Sequence, residues 1–291
     1  MNDWSSVLNS NSVSWLLDPN NPSIRFYTLT ELLGKLSDYS EVILAKEEIM
    51  RQGVVPAILS KQNIEGYWES PECYYEAKYK GTVWQLLILA ELGADGKDER
   101  VKKACDFILK NSQDTESGGF SIYHSAKNGG GLHRGVVPCL TGNMVFSLIR
   151  LGLLSDNRVK RGIDWIIRYQ RFDDGETRAP NIWPYLNHVS GCYGKHSCHM
   201  GVVKSLKALA EIPLNKRSKE ARDTIAQGVE YILKHHVFKR SHNLTKVSKP
   251  GWLRFGFPLM YQDDVLEILC LLTRLGYKDS RMQEAIELVV S

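Results

Sequence analysis

The stretch ILAELGADGKDERV, residues 88–101, carries the pattern from which the fold is read. An apolar run ends in Leu92-Gly93, a polar turn holding Asp95 and Asp98 follows, and a second amphipathic run opens at Glu99. Glycine at such a point supplies the left-handed residue that closes a helix, and aspartate caps the next one. The spacing predicts two helices joined by a tight turn.

Outward from this unit the pattern recurs along the chain. TELLGKLSD closes its first helix at Gly34, LIRLGLLSDNRV at Gly152, LKALAEIPLNKRSKEA at Ile212 and LLTRLGYKDSRM at Gly276. With Gly93 included, the intervals are 59, 59, 60 and 64 residues. Partner helices are read over Glu41 to Ser60, Glu99 to Ser112, Arg158 to Tyr169, Ser218 to His236 and Ser280 to Val290. Three units share a further signature: Gln62 before Gly66-Tyr67-Trp68, Gln113 before Gly118-Gly119-Phe120, and Gln170 before Asp174-Gly175. Helix pairs of this kind cannot bury their apolar faces alone, so they stack into an open solenoid or a closed ring.

Runs such as VWQLLILAEL and VFSLIRLG place the first helix of each pair inside, and the second helices, rich in Lys, Arg and Glu, face water. No β-type alternation of useful length is present. The expected fold class is all-α, one domain over residues 1–291 with five helix pairs and an N-terminal helix from Trp4 to Leu17. Long loops, residues 63–79, 114–137, 171–197 and 237–257, return to one end of the array, and loops of such length are usually functional.

Composition narrows the function classes. The chain has 37 basic and 33 acidic residues, a net charge of +4 with no basic run, which excludes a case for nucleic acid or a membrane surface. Its 43% hydrophobic and 24% charged content is ordinary for a soluble globular protein. The longest apolar runs fall well short of the roughly 18 residues that cross a bilayer. The opening MNDWSSVLNSN shows no basic stretch leading into an apolar core, so the expected location is the cytoplasm. Six unevenly spaced cysteines then read as free thiols or metal ligands, not as a disulfide frame. Cys105 and Cys270 lie on apolar helical faces and are expected to be packing residues. Cys73, Cys139, Cys192 and Cys198 sit near loop-to-helix junctions and stay open.

Chemistry is expected where GKHSCHMGVVKSLKALAEI, residues 194–212, passes from a polar run into a helix. A first helical turn lowers a thiol's pKa through unpaired backbone donors and the helix dipole. When the units are aligned on their terminal residue, the position thirteen residues earlier reads Asn21, Lys80, Cys139, His199 and Asp263. Equivalent positions of a ring face one rim, so these side chains should converge. Cys139, Cys198 and His199 are the candidate zinc ligands, with Asp263 or Asp264 as fourth ligand or general acid. The structural alternative is that Cys198, His199, Asp263 and Asp264 merely cap or pack helix starts. His133 and Arg134 are candidates for binding an anionic group, and Tyr79, Trp84 and Trp183 for an apolar cavity wall. Asp173-Asp174-Gly175-Glu176 is read as part of a repeat turn, and His235-His236 is given no role.

These paired helices, with Gln ahead of Gly-Tyr-Trp or Gly-Gly-Phe, resemble the repeat of squalene cyclases and protein prenyltransferase β subunits. The resemblance implies an α/α toroid, an inner ring of helices within an outer one, around a central cavity that takes an isoprenoid or similar apolar substrate. One helix pair fewer is visible than those families usually carry. Cys139 in PCLTGNM and Cys198-His199 in CHMG resemble the zinc ligands of lanthionine synthetase cyclases, although the Trp before the first Cys is missing and Met200 replaces a Gly. Tyr261-Gln262-Asp263-Asp264 resembles the proton-donor motif of class II terpene cyclases without its first aspartate. The expectations are a zinc-assisted cyclase or transferase, a thiol-activating zinc enzyme of the lanthionine-cyclase kind, or a non-catalytic helical-repeat binding protein.

Overall fold

In the computed structural model, which describes residues 12–127, 129–186, 189 and 191–290, the expected helix stops exist as backbone geometry. Gly34, Gly93, Gly152 and Gly276 adopt φ of 63°, 73°, 91° and 84°, a region that side chains disfavour. Among the described residues the elements are α1 (Val13–Leu16), α2 (Pro22–Tyr27), α3 (Ser40–Glu48), α4 (Val54–Leu59), α5 (Thr82–Glu91) and α6 (Glu99–Asn111). Then follow α7 (Pro138–Arg150), α8 (Asn157–Tyr169), α9 (His199–Ala210), α10 (Lys219–Lys234), α11 (Val265–Arg274) and α12 (Gln283–Val290). The protein is mostly helical, as the repeat required. No helix among the described residues is long and apolar enough to cross a membrane.

Three local departures have physical causes. The first partner helix is split into α3 and α4, because Gly53 takes φ 82° between them. A two-stranded antiparallel ribbon, β1 (Lys239–Arg240) with β2 (Asn243–Val247), stands in the loop after α10, too short to register as alternation. Of the expected helix from Trp4 to Leu17, residues 4–11 lie outside the described residues, and within the described part Val13–Leu16 is helical.

The repeat signature is a hydrogen-bonding device. Gln62 donates to the carbonyls of Gly66 (3.1 Å) and Arg100 (2.9 Å), and Gln113 to those of Gly118 (2.8 Å) and Arg158 (2.7 Å). Each glutamine thus ties its own turn to the start of the next outer helix. Thr82 and Thr141 likewise accept from the backbone amides of Trp68 and Phe120, at 3.1 and 3.0 Å. Asp98, Asp156 and Asp279 accept from the amides of Arg100, Arg158 and Arg281, each cap being worth about 1 kcal/mol. Gln170 breaks the pattern: its amide reaches the Arg171 carbonyl and its oxygen accepts from Ser205 at 3.0 Å. The third loop is therefore left free to take another course.

α5, α7, α9 and α11 pack side by side in that order, while α6, α8, α10 and α12 each lie on the helix before them. The inner series is the apolar one: α7 is buried from Pro138 to Ile149, whereas α10 buries Ala221, Ile225, Val229 and Ile232 along one stripe. The ends of the inner series approach each other. The Trp84 ring lies 6.1 Å from Tyr261, just ahead of α11, and Lys78 Nζ stands 4.8 Å over the same tyrosine. Arg274 at the end of α11 reaches Glu31, just past α2, at 3.3 Å.

A charged network sits between the inner helices. Fully buried Lys204 of α9 donates to both carboxylate oxygens of Glu267 in α11, at 2.8 and 2.6 Å. Lys207 joins Glu267 at 2.9 Å and also pairs with Glu91 of α5. Burial opposes ionisation of Glu267, but the two ammonium groups prevail and hold its carboxyl below the usual range.

α7 and α9 approach until backbone meets backbone at Gly142. A Cβ there would lie 2.4 Å from the Lys204 carbonyl carbon and 2.7 Å from the Ser205 nitrogen. Gly142→Ala should cost about 2 kcal/mol, since overpacking outweighs the helix-propensity gain. Gly251→Ala, with no atom within 4 Å, should stay within about 0.5 kcal/mol of wild type. Urea denaturation at constant m-value distinguishes the two.

Candidate metal and thiol site

The N-terminal ends of α7 and α9 and the segment before α11 open on a cavity of about 590 Å³. Cys139 is the second residue of α7, after Pro138, whose fixed φ suits a helix start. Cys198 is the N-cap of α9 and His199 its first residue. The loop between α8 and α9 brings in Cys192, which stands in the same cavity wall as Cys139 and Cys198. All three thiols are free and line the cavity.

These thiols differ electrostatically. The neighbouring thiols of Cys139 and Cys198, with burial, push the Cys192 thiol far above its usual range. Cys198 shifts down, because its polar neighbours, Cys192 first and the amide end of the first helical turn second, outweigh the opposing effect of burial. Cys198 is the natural thiolate of the group. Cys105 is buried as expected, and burial pushes its thiol up to about 12. Cys270, expected to be a packing residue, is instead exposed.

His199 does not stand beside the thiols as a free ligand. Its Nδ1 hydrogen-bonds Asp263 Oδ2 at 2.7 Å, and its ring lies 4.1 Å from that of Trp252. His199 Nε2 and Asp263 Oδ1 are both buried without a hydrogen-bond partner. Two members of the aligned column thus meet across α9 and α11. Asp264 serves a structural purpose, capping α11 through the Glu267 amide at 2.8 Å and accepting from Gly256 at 3.2 Å. Burial pushes its carboxyl up.

The expected substrate residues fall in two other places. His133 bonds Asp114 at 2.8 Å and stacks on Trp183 at 4.1 Å, while Arg134 is exposed beside it. None of the three lines the cavity. Trp84 is fully buried and Tyr79 is 42% exposed; they pack near Tyr75 and Tyr261, which are the aromatic residues that do face the cavity from that side.

A second group stands in the same cavity wall, around residues given a turn role or no role by the sequence. Asp174 lies 3.5 Å from His196 Nδ1, 3.3 Å from His235 Nε2 and 3.6 Å from His242 Nε2, and accepts from the Ser241 hydroxyl. Among the described residues, Asp174, His196 and His242 are the set of three or more His, Cys, Asp or Glu whose ligand atoms all lie within 4.8 Å, so they could hold a metal ion. Cys139, Cys198 and His199 do not form such a set, and Asp263 holds the imidazole. Burial opposes ionisation of Asp174, yet the Ser241 hydroxyl and the flanking imidazoles keep its carboxyl below the usual range.

The signal for Cys192 was present as Cys192 and Cys198 in one short loop, with His196 between them. Asp174, His235 and His242 come from three segments with no shared period. No protein-family model matches the chain, and no curated protein matches it.

In chelator-treated protein at neutral pH, iodoacetamide should modify Cys198 before Cys192 and leave Cys105 unmodified until unfolding. Peptide mapping by mass spectrometry reads the order. Faster labelling of Cys192 would reverse the assignment of the thiolate.

Proposed function

We propose that this chain is a zinc-dependent enzyme of the terpenoid-cyclase and prenyltransferase type, an α/α toroid whose metal is held by Cys139, Cys192 and Cys198 beside a central cavity. The convergence of three thiols from two segments, the start of α7 and the loop into α9, on one cavity carries this reading. Sulfur is zinc's preferred ligand, and three protein ligands leave a position for substrate; the three sulfurs do not all lie within 4.8 Å of one another, so they would have to close around the ion on binding. The approach of the α5 and α11 ends, at Trp84 and Tyr261, favours a closed ring over an open solenoid.

Zinc, when bound, would supply Lewis acidity that activates a thiol or a water. The protein's own residues do the rest. Tyr75, Tyr231, Trp252 and Tyr261, with Ile122 and Val137, give the cavity an apolar wall for an isoprenoid or similar small substrate. Asp263 fixes the His199 ring through Nδ1, which leaves Nε2 as the open nitrogen at the cavity wall. His199 is thereby set to take a proton as a nucleophile forms, with Asp263 as its positioning residue. The proton-transfer role falls to the pair of His199 and Asp263, because Asp264 is committed to its helix cap.

A lanthionine-cyclase-like enzyme acting on thiols is the second reading, favoured by the polar side of the cavity at Arg240 and Lys249. Under that reading Cys192 takes the place that His199 holds in the resemblance. A non-catalytic helical-repeat binding protein would carry no stoichiometric metal at these thiols.

Tag-free protein purified without chelator should carry zinc bound through sulfur, seen as thiolate-to-metal charge transfer after cobalt exchange. Cys192→Ser should lower affinity by more than the roughly 10–100-fold lost with an outer-shell partner. Cys105→Ser should leave the metal in place. Absence of the charge-transfer band in wild type sinks the thiolate site.

A further inference from the structure

His235 is the residue whose surroundings demand something that the protein itself does not supply. Its Nδ1 faces the carbonyl oxygen of Lys239 at 3.0 Å, and a carbonyl only accepts, so Nδ1 carries the proton. In the neutral ring, Nε2 then presents a lone pair. That lone pair is buried and lacks a hydrogen-bond partner, and Nε2 stands 3.3 Å from Asp174 Oδ1. Two buried acceptors that close repel unless a cation or a second proton neutralises them.

The remaining neighbours select between those two. His196 and His242 converge on the same carboxylate, and the donor atoms of Asp174, His196 and His242 all fall within 4.8 Å of one another. Ligands at about 2.0–2.2 Å from one ion stand no farther apart than about 4.4 Å, so small side-chain adjustments close the set of three, and His235, beside Asp174 but outside that 4.8 Å set, would move in as the fourth. His196 and His242 are 52% and 66% exposed, which leaves a path for an ion from solvent, while Asp174 and His235 form the buried floor. The Lys239 carbonyl orients the His235 ring from behind, and the Ser241 hydroxyl does the same for Asp174, the outer-shell bonding that metal ligands characteristically have.

We propose that Asp174, His196, His235 and His242 form a second metal site, separate from the thiols, that takes an imidazole-favouring divalent ion such as zinc. Three imidazoles and one carboxylate disfavour magnesium and calcium, which select oxygen. The site joins three segments: the loop before α9 through Asp174 and His196, the end of α10 through His235, and the ribbon turn between β1 and β2 through His242. A bound ion fastens that ribbon across the cavity mouth. The loop carrying His196 also carries Cys192 and Cys198, so one loop serves both metals.

The test uses tag-free, chelator-stripped full chain titrated with Co²⁺ alone. Wild type should take up one equivalent that gives ligand-field absorption without thiolate charge transfer, besides any equivalent bound by sulfur. His242→Ala and His196→Ala alter exposed side chains and should fold; each should lose that equivalent and keep the charge-transfer band. Cys192→Ser should do the reverse, so failure of the thiolate reading and failure of this one are separately visible. Limited proteolysis within residues 237–257 gives the second readout. At metal concentrations about 100 times Kd, cleavage of wild type should slow roughly 100-fold, and that of His242→Ala should not change. Equal cobalt uptake by wild type and His242→Ala, or proteolysis indifferent to metal in wild type, overturns the proposal.

Discussion

Glu267 of α11 is the point on which the inner helices are registered. Lys204 and Lys207 of α9 both bond it, and Lys207 extends the link to Glu91 of α5, so one buried carboxylate fixes three helices along their axes. Apolar packing alone would permit sliding by a turn, because Leu and Val surfaces are interchangeable. A buried ion pair adds little net stability, yet losing one partner typically costs 3–5 kcal/mol, which penalises every wrong register. Gly142 acts with it, since the close approach of α7 to the Lys204 backbone is possible only without a side chain.

This register matters because the chemistry lies at helix starts. Cys139, Cys198 and His199 open α7 and α9, and Asp263 immediately precedes the cap of α11. A shift of one turn would move any of them by about 5.4 Å, far beyond hydrogen-bond reach. The 2.7 Å contact between His199 and Asp263 and the placing of Cys139 and Cys198 on one cavity therefore depend on this charged network. The helix starts also supply amides, as Gly201 does for Cys198, so position and electrostatics come from the same element.

The cavity wall holds two donor groups of different hardness. Sulfur donors stand at two helix starts and on the loop before α9, while imidazoles and a carboxylate come from that loop, the end of α10 and the ribbon. Gln170 explains the division. Its counterparts Gln62 and Gln113 pin their turns to the next outer helix, whereas Gln170 turns inward to Ser205 and releases the loop before α9 to carry Asp174, Cys192 and His196 to the cavity.

The periodic part of this protein was legible in its residues. Glycine stops, aspartate caps, glutamine signatures and the contrast between apolar and charged helices act over a few neighbours, so the sequence by itself determined the helices, their pairing and which of each pair is buried. Alignment of the repeats also put His199 and Asp263 in one column, and they meet. Only the tertiary structure decided which donors share a site. Cys192, Asp174, His235 and His242 lie on loops and a ribbon whose paths follow no period, and long-range contacts set their positions. Trp183, His133 and Arg134 fell away from the cavity for the same reason: a loop residue's type suggests a chemistry, but its place depends on how the loop is fastened.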